Sequence, residues 1–387
     1  MKNKFQPSNL WMIIFFVIFV FSSFVLFSNN QVGALDIPVP SAILVEAETG
    51  KVLFEKKPNV ERSPASITKI MTLLLGMEAL EEERINLDDR VTVSDYASSM
   101  GGSQIFLGQG DIVSVEELFK AIAVASANDA SVALAEAVAG SADVFINQMN
   151  SRAQELSMSE TNFSNVNGLP QEDQYTTARD IVKMSRELIK YPEILEWSQI
   201  WTDSIELKDR KAMLVNTNKL ILSYPELDGL KTGYTREAGF NLVATAERDE
   251  MRLISVVLGA ENENERLEVT EEMLDYGFAN YNLEKIFPEG KIFAGLEIDN
   301  SFPREVAAKI SEPLLAVTKV GKEEAIDYEL NLNKDYEFPI KPGERIGKLH
   351  SFVEDNKVHS TDILAKQRVE RASIIRRIWY KISGLFR

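Results

Sequence analysis

Ser66 is the one serine in this chain followed three residues later by a lysine, Lys69. A serine hydroxyl is a weak nucleophile until a neighbouring base takes its proton. Residues i and i+3 of a helix lie one turn apart on one face, so this spacing brings hydroxyl and amine together. Imidazole is not available for the task. The only histidines are His350 and His359, so neither a Ser-His-Asp triad nor a multi-histidine metal site can form in the first 340 residues. Cysteine is absent, which removes thiolate nucleophiles, thiolate zinc sites, iron–sulfur clusters and disulfide scaffolds together. Lys69 is therefore the candidate base, and it can act only where burial and neighbouring cations make it neutral.

Two further short motifs follow in order, Ser126-Ala127-Asn128 and Lys231-Thr232-Gly233. Each has an ordinary explanation when taken singly. Ser66 could cap a helix, Lys69 could be a solvated helix lysine, and Asn128 could bond its own backbone. What weighs against coincidence is the set: Ser66 opens an expected helix, and Gly233 lies in a strand-like run where it would admit a close-lying ligand.

The elements that must position these residues are legible from periodicity. Residues 42–56 read as two strands joined at Thr49-Gly50, and 66–79 as a helix with Pro64 just ahead. Helical stretches fit 115–140, 143–156, 178–190 and 266–281, and strands fit 228–234, 241–247 and 253–258. Helices enclosed by strands from both ends imply a mixed α/β domain over 38–283. Short strands at 291–298, 305–310, 314–318, 327–332 and 345–352, punctuated by Pro, Gly and acidic turns, imply a small all-β domain over 286–362.

The ends differ from the body. Of 387 residues, 45% are hydrophobic and 26% charged, the profile of a folded chain, and the net charge is −17. The first 34 residues carry Lys2 and Lys4 and no acid, and 366–387 carry seven basic side chains against Glu370, so the acidity is concentrated between them. An acidic body repels nucleic acid, and no motif for binding it occurs. Residues 10–27 are apolar behind two lysines and precede Val32-Gly33-Ala34, which reads as a signal peptide over 1–34 cut after Ala34; a retained anchor is the other reading. At the other end Ile374, Ile375, Ile378, Trp379, Ile382, Leu385 and Phe386 form one arc of a helical wheel. Arg376, Arg377, Tyr380, Lys381, Gly384 and Arg387 form the opposite one. That pattern over 373–387 suits a helix lying on an anionic membrane surface, the alternative being a terminal helix packed on its own domain. An exported protein resting on the outer face of the cytoplasmic membrane, facing the cell wall, is the joint expectation.

With these stretches in view, including Pro64 to Thr72, Met100-Gly101-Gly102-Ser103 and Asp228 to Thr235, the chain resembles the serine penicillin-binding proteins, specifically the low-molecular-mass D-alanyl-D-alanine carboxypeptidases. The resemblance covers nearly the whole chain. It implies an α/β (α+β) transpeptidase/β-lactamase-like domain with an antiparallel sheet and helical cluster, then a β-rich domain. It implies Ser66 as nucleophile, Lys69 as base, Ser126 as proton relay and Asn128 bonding the substrate amide. It also implies the backbone N–H groups of Ser66 and Tyr234 as oxyanion hole, and Lys231, Thr232 and Arg266 on the terminal carboxylate beside Gly233. Arg266 is equally explained as a surface ion-pair residue. Peptidoglycan stem peptides would be the substrate, β-lactams would acylate Ser66, and no metal or organic cofactor is needed.

Two departures stand out: Gln174 occupies the place of a histidine common after Asn167-Gly168-Leu169, and Tyr234 follows Lys-Thr-Gly where some relatives have histidine. A β-lactamase would need a Glu-x-x-x-Asn pattern that the Glu172-Asp173 stretch lacks. A penicillin-binding sensor with negligible turnover would carry the same motifs, and only turnover separates it from the enzyme.

Overall fold

Two strands from the start of the body and three from far along the chain build the central sheet. In the computed structural model, which describes residues 35–384, these are β1 (Ser41–Glu46), β2 (Val52–Lys56), β3 (Leu227–Thr235), β4 (Gly239–Arg248) and β5 (Met251–Ala260). Their order is β2-β1-β5-β4-β3, antiparallel throughout. The expected signal segment 1–34 and residues 385–387 lie outside the described residues.

The apolar run of β5 is buried on both faces, and alternation assigns each face its partner. Ile254, Val256 and Leu258 join Ile43 and Val45 in the core beneath the helical cluster. On the opposite face Ser255 meets Met273 of α6 (Glu263–Asn280), and Leu253 and Leu44 press on Gly277. A Cβ on Gly277 would lie 2.5 Å from Leu253, so glycine sets how closely this helix approaches the sheet.

The helical cluster comprises α1 (Lys69–Glu81), α2 (Val115–Ala125), α3 (Asn128–Ala139), α4 (Ala142–Glu155) and α5 (Ala178–Leu188). Every residue of α1 from Lys69 to Met77 is buried, as expected for a helix surrounded by others. Most element ends shift by one to three residues from expectation, and two of the differences fall at chemistry-bearing residues. Ser66 lies in a 3-10 turn, Ala65–Thr68, and the α-helix begins only at Lys69. Residues 115–140 are two helices, because Ser126 adopts the left-handed conformation (φ 58°, ψ 34°) and the amides of Ser126 and Ala127 turn back to the Ala121 carbonyl. No Gly or Pro marks the break, so apolar spacing passes straight over it.

Beyond α6 the strands expected in the last third occur within one residue at each end: β6 (Ile292–Glu297), β7 (Glu305–Ile310), Leu314–Lys319, β8 (Ile326–Leu332) and β9 (Arg345–Val353). Tyr281–Phe287 and β10 (Asn356–Ala365) are additional. The larger sheet runs β6-β7-β10-β9-β8 over its own core of Val306, Ala308, Ile310, Ile346, Leu349 and Ile363. Lys51 Nζ donates to the Val317 carbonyl (2.8 Å) and Tyr281 Oη to that of Leu53 (3.2 Å), tying this part to β1 and β2. A helix, α7 (Ile374–Gly384), follows.

Candidate active site

The first motif is built where the 3-10 turn meets α1. Lys69 is fully buried, and its Nζ donates to Ser66 Oγ (3.0 Å), Asn128 Oδ1 (2.6 Å) and the Asn167 carbonyl (2.6 Å). Burial above all, then the Lys231 ammonium, drives Lys69 well below the usual lysine range, with Asp129 pulling weakly the other way. An amine so placed is neutral far more readily than a solvated one; once neutral it keeps two N–H groups for Asn128 and Asn167, and its lone pair replaces the third N–H toward the Ser66 hydroxyl.

The second motif owes its geometry to the helix break. Left-handed Ser126 ends α2, and Asn128 starts α3 only two residues later, so both side chains are delivered at one helix junction. Ser126 Oγ is buried and makes no hydrogen bond, an uncommon state for a hydroxyl that leaves it available for proton transfer. Asn128 is committed at both ends of its amide: Oδ1 accepts from Lys69, and Nδ2 donates to the Gly101 carbonyl (2.6 Å). Asp129 faces away, its carboxylate accepting from the amides of Ile105 and Leu107 and so fixing the 101–107 loop that meets Asn128.

The third motif lies on β3, beside the 3-10 turn that carries Ser66. A Cβ on Gly233 would fall 3.0 Å from the Pro64 carbonyl oxygen and 3.2 Å from the Ile67 amide nitrogen, so any side chain here would press the strand and the turn a few tenths of an ångström apart. Lys231 is 1% exposed, and among the described residues its Nζ finds only the Thr232 carbonyl (3.2 Å). Burial, reinforced by the Arg266 guanidinium, brings Lys231 down to about 7. Thr232 Oγ1 donates to Thr217 Oγ1 (2.6 Å). Tyr234 is exposed, tilted against Phe240 with ring centroids 4.3 Å apart.

Arg266, in the first turns of α6, is not a surface residue: it is 4% exposed. It donates to Glu263 (3.2 Å), lies 5.7 Å from the Phe240 ring centre, and leaves Nε without a partner. Burial lowers its pKa and Glu263 opposes that. Ser66, Lys69, Ser126, Asn128, Lys231, Thr232, Gly233, Tyr234 and Arg266 thus come from the 3-10 turn, α1, the α2–α3 junction, β3 and α6.

Several supports carry no motif of their own. Gly168, at φ +84°, rests on the turn that carries Ser66, where a Cβ would fall 1.8 Å from the Ala65 carbonyl oxygen. The loop is held there by Asn165 Oδ1, which accepts from Gly168 N (2.6 Å), and by Gln174 Oε1, which accepts from the amides of Ser164 and Asn165 (3.0 Å each). Gln174 therefore serves as a loop brace. Asn241 on β4 donates to the Pro64 carbonyl and accepts from Gly259 N, joining the turn to the sheet. The Asn-Gly pair at 167–168 was visible as a turn signal, whereas nothing in sequence marks Thr217 or Asn241.

Comparison with known proteins follows the same lines. Residues 28–262 match the family model for D-alanyl-D-alanine carboxypeptidase, and residues 281–371 that for the C-terminal domain of penicillin-binding protein 5. Over 370 residues, 95% of each chain, the sequence is 38% identical to D-alanyl-D-alanine carboxypeptidase DacF of Bacillus subtilis. Penicillin binding protein 5 from Haemophilus influenzae is similar in structure, with a TM-score of 0.75 and 29% identity, covering 87% of this chain and 99% of that one. Penicillin-binding protein D2 from Listeria monocytogenes, in its cefotaxime-bound form, superposes at a TM-score of 0.58 with 33% identity, over 63% of this chain and 99% of that one.

Proposed function

The chain belongs to the D-alanyl-D-alanine carboxypeptidases, and from that premise we propose that Ser66 carries the acyl group and that the surrounding residues divide the work as follows. The observation that carries the reading is the buried Lys69 amine, 3.0 Å from Ser66 Oγ and held below its ordinary pKa. Neutral Lys69 takes the hydroxyl proton as Ser66 Oγ attacks the carbonyl carbon between the two terminal D-alanines of a peptidoglycan stem peptide. The backbone N–H groups of Ser66 and Tyr234 receive the developing oxyanion. Ser126 gives its proton to the departing nitrogen and receives in its place the one that Lys69 took from Ser66, so that the C–N bond breaks, D-alanine leaves and the Lys69 amine is neutral again. Water then attacks the Ser66 ester carbonyl and gives one proton to neutral Lys69, which hands it to Ser66 Oγ as the ester C–O bond breaks, releasing the shortened peptide and restoring the hydroxyl.

Lys231, the Thr232 hydroxyl and Arg266 bind the terminal carboxylate. Two adjacent buried cations, with few anions near them, form a site that an anionic ligand completes. Asn128 keeps one Nδ2 hydrogen beyond the bond to Gly101, which a substrate carbonyl can accept. β-Lactams acylate the same hydroxyl as substrate mimics.

Residues 38–283 form the catalytic domain and 286–362 a β-rich spacer, a division supported by the separate core around Ile346 and Ile363. The protein is exported by its first 34 residues and rests on the outer face of the cytoplasmic membrane through residues 373–387. Ile374, Ile375, Ile378 and Trp379 of α7 are each more than half exposed, while the Arg376 guanidinium stacks at 3.4 Å on the Phe302 ring. An apolar side turned outward suits lipid better than packing on the parent domain. Among the described residues no helix is long and apolar enough to cross a membrane.

Mass spectrometry of the protein incubated with a pentapeptide ending in D-Ala-D-Ala, beside Ser66→Ala, tests the assignment. Loss of one D-alanine only with Ser66 intact is expected. Penicillin bound at Ser66 without any D-alanine release would instead mark a sensor.

A further inference from the structure

Thr217 bonds both the end of α2, two residues ahead of the second motif, and Thr232 of the third. It follows the hairpin Thr202–Glu206/Lys211–Val215, in the corner Asn216-Thr217-Asn218. Asn216 fixes that corner: its Nδ2 donates to the carbonyls of Ser198 and Ile200 (2.8 Å each), and its Oδ1 accepts from Asn218 N (2.9 Å). Thr217 N–H donates to the Val124 carbonyl (3.2 Å), one of the four carbonyls that the end of α2 leaves without an intrahelical partner. Val124 stands two residues before Ser126. On its other side Thr217 Oγ1 accepts the Thr232 hydroxyl at 2.6 Å.

A threonine hydroxyl has one proton to give and lone pairs to receive. While Thr232 donates to Thr217, it has no proton for a substrate carboxylate. If the carboxylate takes that proton, Thr232 Oγ1 is left as an acceptor, and Thr217, whose own proton is free to rotate inward, is placed to supply it. We propose that Thr217 is a positioning residue of the carboxylate subsite: its hydroxyl parks the Thr232 proton in the free enzyme and reverses to donate to Thr232 Oγ1 when the terminal carboxylate binds. This rests on the reading that Thr232 contacts that carboxylate. The rotation transfers no proton between atoms; two O–H bonds turn, and one hydrogen bond changes direction.

The carboxylate departs with D-alanine, so a role confined to that subsite acts before the acyl-enzyme and not after it. The test measures kcat, KM and the deacylation rate constant of the full chain in detergent with diacetyl-L-Lys-D-Ala-D-Ala. It compares Thr217→Val, Thr217→Ser, Thr232→Val and the Thr217→Val/Thr232→Val pair. Thr217→Val is expected to lower kcat/KM roughly five- to tenfold, the size of one hydrogen bond, through KM. Deacylation is expected to stay within about twofold of the parent value, and Thr217→Ser to restore kcat/KM. The double variant is expected to be no worse than Thr232→Val, because the two hydroxyls act as one unit. An unchanged kcat/KM in Thr217→Val beside a weakened Thr232→Val overturns this inference alone. No effect in either variant overturns the carboxylate assignment of Thr232 beneath it. Equal slowing of acylation and deacylation by Thr217→Val overturns the positioning role in favour of a structural one.

Discussion

The main-chain carbonyl of Asn167 accepts a 2.6 Å hydrogen bond from Lys69 Nζ, so a loop about a hundred positions further along the chain sets the direction of the candidate base. The next residue, Gly168, holds that loop against Ala65 at a distance no side chain tolerates. Gly168→Ala adds a Cβ within 1.8 Å of a backbone oxygen at φ +84°, so the loop must lift and take the Asn167 carbonyl with it. The expected outcome is a fall of at least about tenfold in the rate of acylation by a fluorescent penicillin, with the far-ultraviolet circular dichroism preserved. Acylation at the parent rate would show that the loop does not hold the base.

Two lysines of opposite duty predict the pH profile. Lys69 must be neutral to accept a proton, whereas Lys231 must be charged to hold a carboxylate. The acid limb of kcat/KM therefore follows Lys69, whose pKa lies well below the ordinary value, and the alkaline limb follows Lys231, near 7 in the free enzyme. A bound carboxylate raises Lys231, so the alkaline limb of kcat moves upward. Lys231→Arg keeps its charge at every accessible pH and should abolish the alkaline limb of kcat/KM whatever it does to the maximum. The measurement is initial rates of D-alanine release from about pH 5 to 10, a range that brackets the value near 7 for Lys231. An alkaline limb unmoved by Lys231→Arg assigns it to another group.

The distribution of legible and illegible features follows from the physics of each. Strands such as β5 were readable because a doubly buried strand must be continuously apolar. The three motifs were readable because they sit at fixed spacing in the chain. Ser126 was placed inside a helix because Ala-Ser-Ala-Asn carries no breaker, and its left-handed turn follows from contacts with residues remote in sequence. Arg266 was open to reading as a surface residue, since its i−3 partner Glu263 looks like any helix ion pair, and only the fold buries it. Thr217 and Asn241 are ordinary polar residues until hairpin and sheet bring them to Thr232 and Pro64.

The outward apolar side of α7 predicts a lipid-dependent partition. Ile375→Glu and Trp379→Glu together place two acids where 81% and 64% exposure puts apolar groups, and they face anionic headgroups. Sedimentation with vesicles of phosphatidylglycerol is expected to fall by at least about tenfold, while release of D-alanine from a soluble tripeptide is unchanged. High salt should weaken the parent protein's binding only in part, since the apolar contribution is not screened. Equal sedimentation of both proteins would return α7 to the role of a packing helix.

The last prediction sets stability against activity at Lys231. Its ammonium is nearly inaccessible to water, meets one carbonyl among the described residues, and lies near the Arg266 cation. A charge buried with so little compensation destabilises the folded state. The folded value is near 7 and the unfolded one is that of an ordinary lysine, 10.5. Below 7 both states bind the proton, and the native state bears the full penalty of holding it. Between 7 and 10.5 the unfolded chain binds more protons than the native one, so this residue's contribution to stability rises with pH. Lys231→Met, similar in length and uncharged, escapes the penalty. It should melt at least about 2 °C higher than the parent at pH 6, with the difference narrowing through pH 9, while carboxypeptidase activity is lost. Differential scanning calorimetry at the two pH values decides it. A variant that melts lower at pH 6 would mean that the lysine is compensated in the free enzyme and that the subsite is not held ready for an anion.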